Sequence, residues 1–244
     1  MAIPSDSFEV CNEALQYLGA AKITAASTAK QEYILCEQFL TPAIRETLAE
    51  YNWTEAIKRV YLVSAGIDIF GEKHTYQIPQ DFIRLVSVGE EENTNNWTLE
   101  GQYILTDAGS TAPGYSQGME YRSGQYLTYE DSLYSVLTAF TASGEFSNDV
   151  SYLSEVGSSD TPILPIRYVY YLSSPASWSV PLRSAVVLKL ACKLSVPLAN
   201  NPKVRYDLMQ EYESIVMRKS RSIQSQQKQK RYSFYSSTWH SRYL

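Results

Sequence analysis

Helical and β-type hydrophobic patterns occupy different parts of this 244-residue chain. Apolar residues recur every three or four positions near both ends, over 4–19, 27–53, 180–200 and 201–216, which indicates amphipathic helices. The segments between them alternate apolar and polar residues and contain turn sequences, which is typical of strands. We therefore predict an α+β fold: an antiparallel helical bundle of about four helices, with a β-rich insertion and an extended C-terminal tail.

Glycine and proline mark the expected helix ends. Gly19 can close the first helix, and Pro42 should kink the second helix rather than divide it. Pro181 suits the first turn of the third helix, which Pro197 should end or kink. The residues expected to pack in the core lie on the helix stripes and on predicted strands: Leu15, Leu18, Leu40, Trp53, Phe82, Leu188 and Cys192.

Strands are predicted over 59–66, in two pieces of 73–91, in a hairpin over 96–106 and over 163–173. From 107 to 162 the composition changes to Gly, Ser, Thr, Tyr and acidic residues. This change predicts an inserted lobe rich in strands and loops. The expected domains are a helical-bundle core with short β elements (1–106 and 163–230), the inserted lobe (107–162) and an extended C-terminal docking tail (231–244).

Charge is divided unevenly along the chain, although the net charge is only −5. Residues 214–244 contain seven basic residues and no acid, whereas residues 107–163 contain eight acids and one arginine. Such a division favours two surfaces with different neighbours. The 20 tyrosines suit either interfaces or a solvated β surface, since Tyr joins an apolar ring to a polar tip.

The sequence lacks the signatures of a catalytic or metal centre. Neither of its two histidines, His74 and His240, has the sequence context of a metal ligand or a catalytic base. No phosphate-binding loop, dinucleotide fingerprint or nucleophile elbow occurs. Cys11, Cys36 and Cys192 lie in apolar helical patterns, so we expect buried, reduced thiols. We expect no enzyme activity, no cofactor and no metal, and no apolar run is long enough to predict a membrane span.

The final segment, residues 224–244, combines basic residues with five aromatic rings. It suits a solvated tail, an arm that binds nucleic acid, or a peptide that becomes ordered on a partner protein. All five rings lie between Tyr232 and Tyr243, which is more than a solubilising tail needs. The third hypothesis explains this concentration, because Trp, Tyr and Arg dominate the energetics of protein interfaces.

Several segments occur in a distinctive order: NEALQYLG, LAEYNWTEAIKR, YQIPQDFIRLVSV, LEGQYILT and IRYVYY, followed by two helices that begin with LRSAVVLKLACKLSVPLANNP. This layout resembles the head-to-tail adaptors of tailed bacteriophages, in particular the tail tubular protein A (gatekeeper) family of short-tailed phages. The resemblance extends over most of 7–106 and 163–230. Its most specific residues are packing and turn signals: Asn12 to Leu15 with Leu18 and Gly19, Trp53, and Tyr76, Ile78, Pro79, Asp81, Phe82 and Arg84.

The resemblance implies a structural virion protein. Family members form a dodecameric ring between the portal and the tail nozzle, and the genome passes through the lumen without sequence-specific binding. The implied partners are the portal, the nozzle protein and other copies of the chain, and the implied location is the head–tail junction, after synthesis in the host bacterial cytoplasm. The C-terminal tail is implied to dock on the portal through Lys230, Arg231, Tyr232, Phe234, Tyr235, Trp239, His240, Arg242, Tyr243 and Leu244.

Two alternatives come from the residues alone. A tail-associated protein can bind or cleave carbohydrate through the acidic, Tyr-rich segment 107–162, since glycoside cleavage requires a pair of carboxylates and aromatic rings stack on sugars. The tyrosines considered for such stacking are Tyr121, Tyr126, Tyr129 and Tyr134. The second alternative is a protein that binds nucleic acid through its basic tail.

Overall fold

The computed structural model describes residues 3–67, 71, 73–89, 96–199, 202–216 and 218. The chain forms two compact units: unit 1 joins Met1–Thr47 to Ser174–Leu244, and unit 2 is Leu48–Ser173. Unit 1 therefore comes from both ends of the chain and is helical where it is described, whereas unit 2 comes from the middle and is mainly β.

Five α-helices lie in the described residues: α1 (Phe8–Tyr17), α2 (Gln31–Glu50), α3 (Phe146–Asp149), α4 (Val180–Ala199) and α5 (Pro202–Glu211). A π-helical turn, Tyr212–Val216, follows α5, and 3₁₀ turns cover Ser5–Ser7, Thr54–Ala56, Val150–Tyr152 and Pro175–Ser177. The helices predicted near the two ends are confirmed as α1, α2, α4 and α5. Pro42 lies inside α2, which remains one helix, and Pro197 lies close to the end of α4.

The helix α4 is the central element of unit 1. It packs on both α1 and α5, and every residue from Ala185 to Cys192 is buried. Arg183 at its start donates from Nη2 to Glu9 (3.1 Å) and Glu13 (2.5 Å), which joins α4 to α1. Within the described part of the chain, no helix combines the length and apolar character needed to cross a membrane.

The strands of unit 2 are β1 (Ile57–Ile67), β2 (His74–Gln77), β3 (Phe82–Val88), β4 (Trp97–Glu100), β5 (Tyr103–Thr106), β6 (Glu120–Tyr121), β7 (Tyr126–Tyr129), β8 (Ser132–Val136), β9 (Phe140–Thr141), β10 (Leu153–Ser158) and β11 (Ile163–Tyr170). Six of them form one antiparallel sheet in the order β3-β11-β1-β2-β5-β4. The others form a three-stranded sheet, β10-β8-β7, and the pair β6-β9, which together we call the lobe.

The prediction of a helical bundle with a β-rich insertion is wrong. The strands predicted as short additions to a bundle instead pair with each other in the six-stranded sheet, which is the largest element of unit 2. β1 pairs with β11 over seven positions, from Ile57 opposite Val169 to Val63 opposite Ile163. Hydrophobic periodicity reports local structure only, so it identified these strands without showing that two of them, far apart in sequence, are neighbours.

The core of the six-stranded sheet is a buried cluster of Leu62, Tyr76, Val88, Ile104, Leu164, Ile166 and Tyr168. Cross-strand neighbours account for part of it, since Tyr76 lies opposite Ile104. Of the residues expected in a core, five are buried and two, Leu18 and Phe82, are half-buried. The buried five are Leu15, Leu40, Trp53, Leu188 and Cys192.

Candidate functional site

Asn12, in the first segment of the resemblance, fastens the chain that follows α1. Its side-chain amide donates to the carbonyl of Ile23 (3.0 Å), and its carbonyl oxygen accepts from the amide of Ile23 (2.8 Å). Ile23 is itself buried, and Gly19 makes the intervening turn with a φ of +64°. One Asn side chain therefore satisfies both backbone polar groups of a buried residue, which requires an amide at this position.

Asp81 joins the turn before β3 to two neighbouring strands. Its carboxylate accepts from Lys58 Nζ on β1 (2.5 Å) and from the Tyr168 hydroxyl on β11 (2.9 Å). Burial opposes ionisation of this carboxyl group, but the hydrogen bonds from Lys58 and Tyr168 outweigh it, so the pKa of Asp81 lies below its usual value. The ring of Tyr168 also stacks on Phe82, with 5.8 Å between the ring centroids.

Asp81 belongs to the segment YQIPQDFIR, residues 76–84, which we call the motif. Its first residue, Tyr76, fills the middle of the sheet core. It is fully buried, and burial raises the pKa of its phenol to about 12. Its hydroxyl has no hydrogen-bond partner among the described residues. The last motif residue, Arg84, donates from Nη2 to the side-chain carbonyl of Asn52. The motif residues thus hold chain segments together, and we assign none of them a catalytic role.

The lobe uses most of the tyrosines considered for sugar binding in its own packing. Tyr129 stacks on Phe146 with ring centroids 3.9 Å apart, and Tyr134 also contacts Phe146. Tyr121 is buried; its hydroxyl accepts from the amide of Ser116 and donates to the carbonyl of Gly114. Stacking by these three rings is therefore largely internal to the lobe.

Asp149 is a buried carboxylate inside the lobe, with 5% of its surface exposed. It accepts hydrogen bonds from the hydroxyl of Tyr115 (2.5 Å) and from the amide (2.8 Å) and hydroxyl (3.0 Å) of Ser143. These bonds, that of Tyr115 first, lower the pKa of Asp149 below its ordinary value. Because its partners are all neutral groups that fix loops, we interpret Asp149 as a structural carboxylate.

The edge strand β4 carries an apolar surface that the sheet leaves uncovered. Trp97 lies opposite Thr106 and Leu99 opposite Ile104, so both share a face with the buried Ile104. Yet Trp97 is 44% exposed and Leu99 is 40% exposed. We call this pair the hairpin surface. The sequence alternation Trp97-Thr98-Leu99 indicates one apolar face, but it does not show that the face is open.

A second exposed apolar surface lies on the lobe. Leu137 is 56% exposed, and its amide donates to the carbonyl of Tyr152 (2.9 Å), which is 38% exposed. The ring of Tyr152 stacks on Phe140, and Val150, 45% exposed, belongs to the same 3₁₀ turn as Tyr152. We call Leu137, Val150 and Tyr152 the lobe surface. Exposed apolar groups that are adjacent in this way are typical of interaction sites.

The described residues contain no group of three or more His, Cys, Asp or Glu side chains that could hold a metal ion. His74 Nδ1 lies 3.5 Å from the hydroxyl of Ser64. The three cysteines are buried and free, as predicted. The neighbouring Cys36 and burial raise the pKa of the Cys11 thiol. We expect this thiol to remain protonated.

The portal-docking prediction concerns Lys230, Arg231, Tyr232, Phe234, Tyr235, Trp239, His240, Arg242, Tyr243 and Leu244, which all lie outside the described residues. Searches with protein-family models and against curated protein sequences find no match to this chain.

Proposed function

We propose that this chain is a ring-forming head-to-tail adaptor of a tailed bacteriophage. In this role it joins the portal to the tail nozzle in the virion, and copies of the chain surround the channel through which DNA is ejected. The role is structural and requires neither a catalytic centre nor a cofactor.

The observation that supports the proposal is the structural role of the residues that carry the resemblance. Asn12 fastens the segment after α1, Asp81 joins β1, β3 and β11, and Tyr76 fills the sheet core. Residues with such roles are constrained by architecture rather than by chemistry. In the resemblance these residues are packing and turn signals, and in this chain they make packing and turn contacts, so they support a structural role rather than a catalytic one.

The two apolar surfaces of unit 2 suit the assembly of a ring. A cyclic ring joins its subunits head to tail, so each subunit needs two unlike surfaces that complement each other. The hairpin surface and the lobe surface are unlike: one is a Trp and a Leu on an edge strand, and the other is a Leu, a Val and a Tyr around a 3₁₀ turn. Both are exposed in the single chain and would lose water on contact with a neighbour.

The distribution of charge suits both a channel and a docking tail. The net charge is −5 although residues 214–244 carry seven basic residues, so the rest of the chain is strongly acidic. Acidic surfaces repel phosphates and keep DNA moving through a lumen. In this proposal the basic, aromatic segment from 228 to 244 binds the portal, in a groove that is net acidic or rich in exposed carbonyl groups.

Sedimentation with purified portal rings tests the proposal. The full chain should co-sediment with portal rings and appear as an added ring in electron micrographs, whereas a chain lacking residues 228–244 should remain in the supernatant. A full-length control with Lys228, Lys230, Arg231 and Arg242 changed to Ser retains all five rings and separates the contribution of charge from that of aromatic contact.

Each result bears on a different part of the proposal. If no ring forms on the portal, the adaptor role is wrong. If the shortened chain binds as well as the full chain, the tail is not the docking element. Salt-sensitive DNA binding that disappears in the Ser variant, without any portal binding, would favour the nucleic-acid alternative.

A further inference from the structure

A cleft of about 470 Å³ lies in unit 2 between β1 and the lobe. Two tyrosine rings contribute to its lining, Tyr61 from β1 and Tyr126 from β7, and their centroids are 6.5 Å apart in an edge-on arrangement. Both rings are half-buried and pack against the buried cluster of Ala112, Leu133 and Ile163. The cleft therefore has an aromatic wall that packs on a buried apolar cluster, one residue of which, Ile163, also lines the cleft.

Hydrogen bonds to the backbone hold other parts of the cleft in place. The amide of Ser110 donates to the carbonyl of Ile163 (3.0 Å), and the amide of Ile163 donates to the carbonyl of Ser110 (2.8 Å), which joins one wall to β11. The side-chain carbonyl of Gln125 accepts from the amide of Arg122 (2.8 Å), which fixes the Gln125 amide group. A cleft of this kind exists before a ligand arrives, so binding costs little reorganisation.

Apart from the Tyr121 hydroxyl and the Gln125 side-chain carbonyl, which bond within the lobe, the polar side-chain groups of the described lining are free to bind a ligand. Among the described residues, no hydrogen bond is made by the hydroxyls of Tyr61, Ser110, Thr111 and Tyr126, by the carboxylate of Glu120 or by the Nε2 group of Gln125. Hydroxyls both donate and accept, the carboxylate accepts, and the amide donates. The cleft can therefore satisfy a ligand that presents several donors and acceptors around an apolar ring face.

The charges of the lining narrow the class of ligand. Glu120 is its only charged side chain, and neither Lys nor Arg lines it within the described part of the chain, so phosphates and carboxylates would find no counter-charge. Aromatic rings beside hydroxyl, amide and carboxylate groups match the alternating C–H and O–H surface of an uncharged sugar. We propose that this cleft binds a neutral saccharide.

The same lining argues for binding without cleavage. The usual routes of glycoside hydrolysis need two carboxyl groups that flank the scissile bond, and among the described lining residues Glu120 supplies one. Asp149, a buried acid of the lobe, is occupied by Tyr115 and Ser143. The saccharide site does not depend on the adaptor role, because it rests on a different set of residues.

Ligand-detected NMR on the full chain tests the site. The probes are four neutral trisaccharides, namely maltotriose, cellotriose, mannotriose and N,N′,N″-triacetylchitotriose, with sialyllactose and glucose 6-phosphate as charged comparisons. At least one neutral probe should bind, and its dissociation constant should rise at least about tenfold in the double variant Glu120→Ala with Gln125→Ala. The matched control, Glu100→Ala with Gln102→Ala, removes the same two side-chain types from the β4–β5 hairpin and should bind normally.

A second measurement detects binding of the sugar to the unaltered protein. With ring-labelled tyrosine in the unaltered chain, the neutral probe should shift the signals of Tyr61 and Tyr126, which the variants Tyr61→Phe and Tyr126→Phe assign. The site is overturned if none of the four neutral probes binds. It is also overturned if only the charged probes bind, or if the cleft variant and the hairpin variant bind equally well.

Discussion

A Cβ atom added at Gly109 would lie 2.0 Å from the hydroxyl oxygen of Tyr76 and 2.7 Å from Cβ of Pro162. Tyr76 comes from β2 and Gly109 from the segment that leaves β5 for the lobe. The backbone at Gly109, where the chain leaves the sheet for the lobe, therefore passes so close to the Tyr76 side chain that no Cβ atom fits between them.

The first prediction is that Gly109→Ala destabilises the protein. The added methyl group must displace a fully buried ring or a proline, so we expect the free energy of unfolding to fall by about 1–3 kcal/mol. Urea unfolding followed by circular dichroism measures this. Gly114→Ala is the matched control, because the nearest atom to its added Cβ is 4.0 Å away, and its effect should stay within about 0.5 kcal/mol. Equal effects of the two changes would contradict the role assigned to Gly109.

The second prediction is that Tyr76→Phe increases stability by about 1 kcal/mol, because it removes a buried hydroxyl that has no partner among the described residues. Tyr168→Phe should have the opposite sign, since it removes a donor to the carboxylate of Asp81. Combining Tyr76→Phe with Gly109→Ala should cost less than the sum of the separate effects. Destabilisation by Tyr76→Phe would mean that its hydroxyl is satisfied.

The third prediction concerns pH. The pKa of Asp81 is lowered in the folded protein, so its stabilising effect is present above the unfolded pKa of about 3.9 and is lost as the pH falls through the folded value. The unfolding free energies of the unaltered chain and of Asp81→Asn should therefore differ most near neutral pH and converge in acid. Thermal unfolding from neutral pH to pH ~3 measures this difference.

A control separates this effect from general acid destabilisation. Asp160→Asn removes an exposed acid from the same unit and should change the unfolding free energy by less than about 0.5 kcal/mol throughout. A difference for Asp81→Asn that stays constant with pH would show that the carboxylate contributes through shape rather than charge.

The fourth prediction tests the hairpin surface as a contact between copies. The double variant Trp97→Ala with Leu99→Ala should unfold like the unaltered chain, because both side chains are substantially exposed, but it should fail to complete rings on the portal. Tyr103→Ala is the control: it truncates a ring that is 44% exposed on the opposite face of the same hairpin. Electron microscopy of portal mixtures provides the comparison. Normal rings from the double variant would exclude this surface.

Local sequence patterns predicted the elements well and their arrangement poorly. The 3.6-residue stripe of α1, with Cys11 and Leu15 buried, follows from spacing alone. The strand predicted over 163–173 corresponds to β11, which ends three residues earlier, at Tyr170. Nothing local indicates that β11 lies between β3 and β1, which is the relation that makes a six-stranded sheet rather than an addition to a bundle.

Local sequence is equally unable to show which residues meet in the candidate sites. Tyr126 was considered for sugar binding because it lies in the acidic, Tyr-rich segment, but its partner in the cleft, Tyr61, comes from a distant strand. Conversely, Tyr129 and Tyr134 have the same sequence context as Tyr126, yet they pack on Phe146. Which tyrosine faces a cleft and which fills a core depends on tertiary neighbours, and composition cannot distinguish them.

The pairing of β1 with β11 has a consequence during synthesis. Ile57 leaves the ribosome roughly 100 residues before its partner Val169, which at about 5–20 residues per second corresponds to about 5–20 s. Throughout that interval one edge of β1 lacks its neighbour, and β2 pairs only with the other edge. Nascent chains on one polysome therefore expose identical unpaired strand edges to one another, and a chaperone that shields this edge until β11 emerges should raise the yield of folded protein.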